Sequence, residues 1–113
     1  MSVRRVPPGS IRVVRSPEHT RRVLVVGGGP HAAWFVDDLA RSDHPVRVVA
    51  PRLCDDMADM LCERRYTWIS RDFVPADLDD VWLVIVATGD LETDQLWTRH
   101  IDAHREAGLS RSA

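Results

Sequence analysis

The chain has 113 residues, of which 44% are apolar and 28% charged, with a formal net charge of −2. That is enough for one small domain with a core, and it gives no basic footprint for nucleic acid or an anionic membrane. All 15 basic residues are Arg, which excludes a lysine nucleophile or Schiff base; the Arg excess itself reads as codon usage.

Residues 1–20 read as an N-terminal segment, partly disordered. Pro7, Pro8, Gly9 and Ser10 form a loop. Ile11 to Val14 has the composition of a short strand, and Ser16 to Thr20 is polar again. No apolar h-region follows Arg4 and Arg5, so no secretory signal is expected, and no run approaches membrane-spanning length. Residues 21–108 read as the domain and 109–113 as a tail.

Val23-Leu24-Val25-Val26 is continuously apolar, as a strand buried on both faces is. Gly27-Gly28-Gly29-Pro30-His31-Ala32 comes next, and Gly27, Gly29 and Ala32 fill a G-x-G-x-x-A dinucleotide-binding turn. Gly27 allows the tight turn, and Gly29 lets a pyrophosphate approach the backbone. Ala32 lets the next helix sit close to the strand. Free N–H groups at the helix start favour phosphate, and Pro30 suits the first turn. A plain structural turn is the competing reading.

Pro30 to Arg41 reads as a helix with Ala32, Val36, Leu39 and Ala40 inward. Trp34 and Phe35 fall at the edges of that stripe, placed either against a ligand or a partner or, the reading preferred, under the N-terminal segment. After a turn, Val46 to Ala50 is the second strand, and Leu53 to Arg64 a helix with Leu53, Met57, Met60 and Leu61 inward. Cys54 and Cys62 match neither a zinc nor a redox spacing and read as reduced core or near-core thiols of a cytoplasmic protein. Tyr66 to Ser70 alternates as an edge strand, Val74 to Asp80 is a loop, and Val81 to Ala87 is the strongest strand. The last helix spans Leu91 to Arg105 with Leu96, Ile101 and Trp97 inward, and Gly108 at its C-cap.

The fold class is therefore α/β: a Rossmann-like, doubly wound parallel sheet in three layers. Its strand order is 3-2-1-4, counting Val23–Val26 as the first strand. Ligands of such sheets bind beyond the carboxyl ends of the strands. Three loops meet there: Gly27 to His31, Ala50-Pro51-Arg52 and Thr88-Gly89-Asp90. The acid that holds ribose hydroxyls is missing at Ala50; Arg52 either meets a 2′-phosphate or is solvated. His31 either donates to phosphate or lies at the surface, while Asp90 and Asp94 suit helix capping. His100 and His104 have a metal-binding spacing without a third ligand, so no metal site is expected. His19 and His44 read as loop residues, and the pairs Asp55-Asp56 and Asp79-Asp80 as solvated charges. No nucleophile–base set can be assembled.

Three stretches together resemble the N-terminal domain of siroheme synthases. They are Val23 to Ala33, Val46 to Pro51, and Asp77 to Asp90, whose D-L-x-x-x-W-L-V-x-x-A-T-x-D pattern is the most specific part. The likeness runs over about residues 11 to 106. It implies a precorrin-2 dehydrogenase, usually also a sirohydrochlorin ferrochelatase. The implied reaction passes a hydride from precorrin-2 to NAD and yields sirohydrochlorin. It also implies that Gly27, Gly29, Pro30 and His31 contact the pyrophosphate. Ala50 and Pro51 would lie by the adenosine ribose, and Thr88 and Asp90 on the nicotinamide side. Trp34 and Phe35 stand where the family has a basic pair, and Asp94 where an Asn is common. The family continues into a later strand ending in an Asn-Val-Val-Asp motif, whose Asp is its proposed acid/base, and into a dimerisation region. The expectation is thus a truncated module, lacking the later strands and with its catalytic residue unknown, completed as a homodimer or by a partner chain. The alternative is a non-catalytic nucleotide-binding or vestigial module. Val81 to Ala87 would be an open apolar edge that invites pairing or lowers solubility, unless Ile11 to Val14 folds back onto it.

Overall fold

Four consecutive β-branched or leucine side chains, each at most 3% exposed, make Val23–Val26 the central strand of the sheet. The computed structural model describes residues 10–13, 22–42, 44–78 and 81–111. In chain order they form β1 (Ser10–Val13), β2 (Val23–Val26), α1 (Pro30–Arg41), β3 (Val46–Val49) and α2 (Asp55–Cys62). Next come β4 (Thr67–Ile69), a 3-10 turn (Pro75–Leu78), β5 (Leu83–Val86) and α3 (Leu91–Arg111). Expectations for residues 1–9 and 14–21, including His19, for Asp79-Asp80 and for the last two residues lie outside the described part.

The sheet order is β1-β5-β2-β3-β4. β2, β3, β4 and β5 are parallel and reproduce the expected 3-2-1-4 order. The addition is β1, which pairs antiparallel with β5 in the register Ser10↔Val86 to Val13↔Leu83. The edge of β5 is therefore covered within the chain, and β1 and β4 are the edge strands of the described sheet.

Strand alternation divides the core. Val23, Val25, Val46, Val48 and Ile85 pack with α1 and α2 on one face. Leu24, Val26, Val49, Val84 and Val86 pack with the 3-10 turn and Ile101 of α3 on the other. This is a three-layer sandwich.

Several details are corrected. α2 begins at Asp55 rather than Leu53, because Cys54 has an extended backbone and occupies the N-cap. Phe35 is buried and Leu39 only partly so, because α1 turns Ala33 and Phe35 into the core it shares with α2. Trp34 meets Phe35 edge-on at 5.2 Å. Cys62 is exposed, while Cys54 is half-buried. The strong strand shortens to Leu83–Val86, with Trp82 exposed and stacked on His44. α3 runs through Gly108 rather than capping there. Leu96 points out, 45% exposed, because Asp94, Thr98 and Ile101 form the inward stripe of α3. Both polar members are bonded: Thr88 donates to Asp94, and the Thr98 hydroxyl donates to the Asp94 carbonyl at 2.7 Å.

Candidate functional site

The bend after β2 is built by three glycines with three different jobs. Gly27 has φ +132°, and a Cβ there would meet the Ala87 carbonyl oxygen at 2.3 Å. It must be glycine because β2 stays paired on both sides to its very end: Ala87, just after β5, donates its N–H to Val26 at 2.8 Å, and Gly27 donates to Val49 of β3 at 3.1 Å. Gly28 is packed against the next loop, since its Cβ would lie 1.9 Å from the Arg52 carbonyl oxygen. Around Gly29 a Cβ would meet nothing within 4 Å. Gly29 is the N-cap of α1, accepts the first helical bond from Ala33 at 3.0 Å, and is followed by Pro30. The N–H groups of His31 and Ala32 thus precede that first bond, and the first turn holds no acid. An open glycine at a positive helix end is a place where an anion can touch backbone.

The loop after β3 is fastened on both sides. Cys54 donates its N–H to Gly28 at 2.7 Å, and Ala50 donates to Ile69 at 3.2 Å. Trp68 Nε1 donates to the Ala50 carbonyl at 2.9 Å. The loop after β5 is fastened to α3: Thr88 gives both its N–H, at 3.0 Å, and its hydroxyl to Asp94. Asp90 accepts from the Thr93 hydroxyl.

Between these loops lies an open cavity of about 440 Å³. Gly27, Gly29, Ala50, Pro51 and Thr88, all singled out from sequence, line it. Pro30 borders a separate groove between α1 and α2. His31 lies beside the third loop, where a Cβ on Gly89 would meet its Nδ1 at 3.5 Å. Asp90 stands just before α3 and is tied to Thr93, a cavity residue. Sequence reasoning missed Gly28, Cys54, Asp72, Phe73, Thr93 and Trp97 as wall residues. The alternating pattern before Asp72 was the one available signal for that side of the wall.

Phe73 is buried and meets Trp97 edge-on at 5.3 Å. Its turn is held by an ion pair: Arg71 donates through both guanidinium nitrogens to Asp77, at 2.8 and 2.5 Å. Burial pushes the Asp77 carboxyl up, but the Arg71 hydrogen bonds, the Val74 N–H, and the charges of Arg71 and Arg47 outweigh it and leave it below the ordinary carboxylate value. Under the other face, the Tyr66 hydroxyl donates to the Met57 carbonyl at 2.5 Å. Burial, with Cys54 and Cys62 nearby, pushes its phenol up to about 12. Among the described residues no group of three or more His, Cys, Asp or Glu is gathered as a metal site. No helix there is long and apolar enough to cross a membrane.

Residues 18–108 match the family model described as "Putative NAD(P)-binding". The chain is 47% identical over 70 residues to siroheme synthase 1 of Yersinia enterocolitica, and 39% identical over 84 residues to the siroheme synthase of Blochmanniella pennsylvanica. Those stretches cover 62% and 74% of this chain but 15% and 17% of the relatives. The fold is similar to that of SirC, a precorrin-2 dehydrogenase, with a TM-score of 0.61 and 25% identity, over 74% of this chain and 42% of that one.

Proposed function

This chain belongs to the NAD(P)-binding family matched across residues 18–108, and from that premise we propose that it is the NAD-binding module for oxidation of precorrin-2 to sirohydrochlorin. The observation that carries the reading is Gly29: unobstructed within 4 Å, at the start of α1, beside the cavity the three loops enclose. The relatives' names supply the substrate class.

When bound, NAD supplies the hydride acceptor, and the oxidation releases one proton besides the hydride. The chain's own residues bind and orient. Gly29, with the N–H groups of His31 and Ala32, receives the pyrophosphate. Ala50 and Pro51 form the adenosine side, and Thr88, held by Asp94, the nicotinamide side. Pro30 shapes the first turn, and Asp90 fixes Thr93 at the cavity wall. Among the described residues no carboxylate or imidazole of the cavity is paired as an acid–base couple. In this reading the proton-transfer group comes from a further segment, a second copy or a partner chain, as the resemblance to siroheme synthases implies, and the same addition completes the tetrapyrrole cleft. Iron insertion, a reaction in which the metal is substrate, would draw on the same completed cleft. The proposed setting is the cytoplasm, in keeping with two unpaired cysteines.

A second reading is nucleotide binding without turnover: the open bend at Gly29 and the cavity beside it fit a dinucleotide whether or not an oxidation follows. One experiment separates the two: titrate the chain with NAD, then assay precorrin-2 oxidation with and without the segment that comes after this domain in its relatives. Turnover restored by the added segment supports the dehydrogenase reading. Binding without turnover in both mixtures supports the second.

A further inference from the structure

We propose that Asp72 reads the ribose hydroxyls of the bound dinucleotide, from the strand next to the usual one, and thereby sets a preference for NAD over NADP. The inference rests on the dinucleotide reading above and names the group that gives it specificity.

In dinucleotide-binding sheets a carboxylate at the end of the second strand accepts the hydrogen bond of the 2′-hydroxyl. Here that strand is β3, and the residues that follow its end are Ala50 and Pro51. The backbone of Ala50 is already engaged: its carbonyl accepts from Trp68 Nε1, and its N–H donates to the Ile69 carbonyl. The same two bonds fasten the end of β3 to β4, so the turn leaving β4 is brought alongside the cavity.

That turn carries Arg71-Asp72-Phe73. Arg71 donates its N–H back to the Ile69 carbonyl at 3.0 Å, which bends the chain sharply. Its guanidinium then holds two things at once: the Asp77 carboxylate and the Asp72 carbonyl oxygen, the latter at 3.0 Å. Phe73 is sunk into the core at 3% exposure. The backbone of Asp72 is thus pinned from both sides, while its side chain is exposed, lines the cavity, and has no hydrogen bond or ion pair among the described residues. It is the one carboxylate among the residues lining that cavity. A free acceptor on an immobilised backbone suits a diol, because the bond is gained without ordering a loop. The same charge opposes the 2′-phosphate that NADP would bring. Arg52, also on the cavity wall, is the group that would favour that phosphate.

The test uses the whole chain. NAD and NADP are titrated separately, by calorimetry, into the wild type and the Asp72→Ala, Asp72→Asn and Arg52→Ala variants. The Asp72 side chain is exposed and has no hydrogen bond or ion pair among the described residues, so matched thermal midpoints are expected to verify folding. The wild type should prefer NAD. Asp72→Ala should weaken NAD about tenfold and leave NADP unchanged or tighter, with Asp72→Asn in between. An unchanged NAD affinity in Asp72→Ala, or a wild-type preference for NADP that Arg52→Ala abolishes, would overturn the inference while leaving the dinucleotide site standing. If the wild type binds neither cofactor, the site reading itself fails and this inference with it.

Discussion

A methyl group on Gly28 would sit 1.9 Å from the carbonyl oxygen of Arg52, so the first two loops of the cavity touch with no room for a side chain. The contact is reinforced by the Cys54 N–H on the Gly28 carbonyl at 2.7 Å. The obstructing atom is backbone and cannot rotate away. Gly28→Ala should therefore cost about 3 kcal/mol, the upper end of overpacking penalties. A denaturant melt checks this; a midpoint matching the wild type would mean that the loops separate freely.

Tyr66 is the sole tyrosine in the sequence, so its phenol can be titrated without interference. Burial first, then the two nearby cysteines, raise it from 10 to about 12. Because the folded value is the higher one, the neutral phenol stabilises the fold below pH 10, and this is lost as pH rises toward 12. Ultraviolet absorbance of the phenolate should show a midpoint near 12, moving to the ordinary value in denaturant. A native midpoint at 10 would contradict the buried bond to Met57.

The Arg71–Asp77 pair predicts an acid-side effect. The folded carboxyl lies below its ordinary 3.8, so its contribution is present above that pH and fades as pH falls through the lower folded value. Asp77→Asn should lower the thermal midpoint at neutral pH and flatten the loss of stability on acidification. Unchanged melts across that range would show that the pair does not hold the Asp72–Phe73 turn.

The chain covers the edge of β5 with its own β1. β1 pairs with β5 from Ser10↔Val86 to Val13↔Leu83. Placing Pro at both Ile11 and Arg12 removes two strand N–H groups and should uncover β5. Sedimentation should then show concentration-dependent association beyond that of the wild type. An unaltered sedimentation profile would mean that β1 protects nothing.

The features legible in the sequence are those that local chemistry dictates. Val23 to Val26 is too apolar for anything but a central strand, and Pro30 and Ser42 bracket α1 as its helical pattern requires. The glycine bend was readable because its demands are backbone demands. The rest depends on distant partners. Gly28 looks like a spacer until Arg52 is folded against it. Asp72 looks like any loop acid until Arg71 and Asp77 clamp its turn. The phase of α3 was misread because Asp94 and Thr98, polar residues, occupy the buried stripe that Leu96 was expected to share. Only their hydrogen bonds, visible in three dimensions, make that arrangement stable.

The most direct measurement is a calorimetric titration of NAD into the wild type and into Gly29→Ala. Gly29 has an ordinary φ of −95° and open space around its missing Cβ, so the variant should fold with nearly the same stability. Binding to the wild type, lost by at least about tenfold in Gly29→Ala, is the predicted result. A flat wild-type trace, or equal binding by both proteins, would contradict the claim that this bend receives a diphosphate.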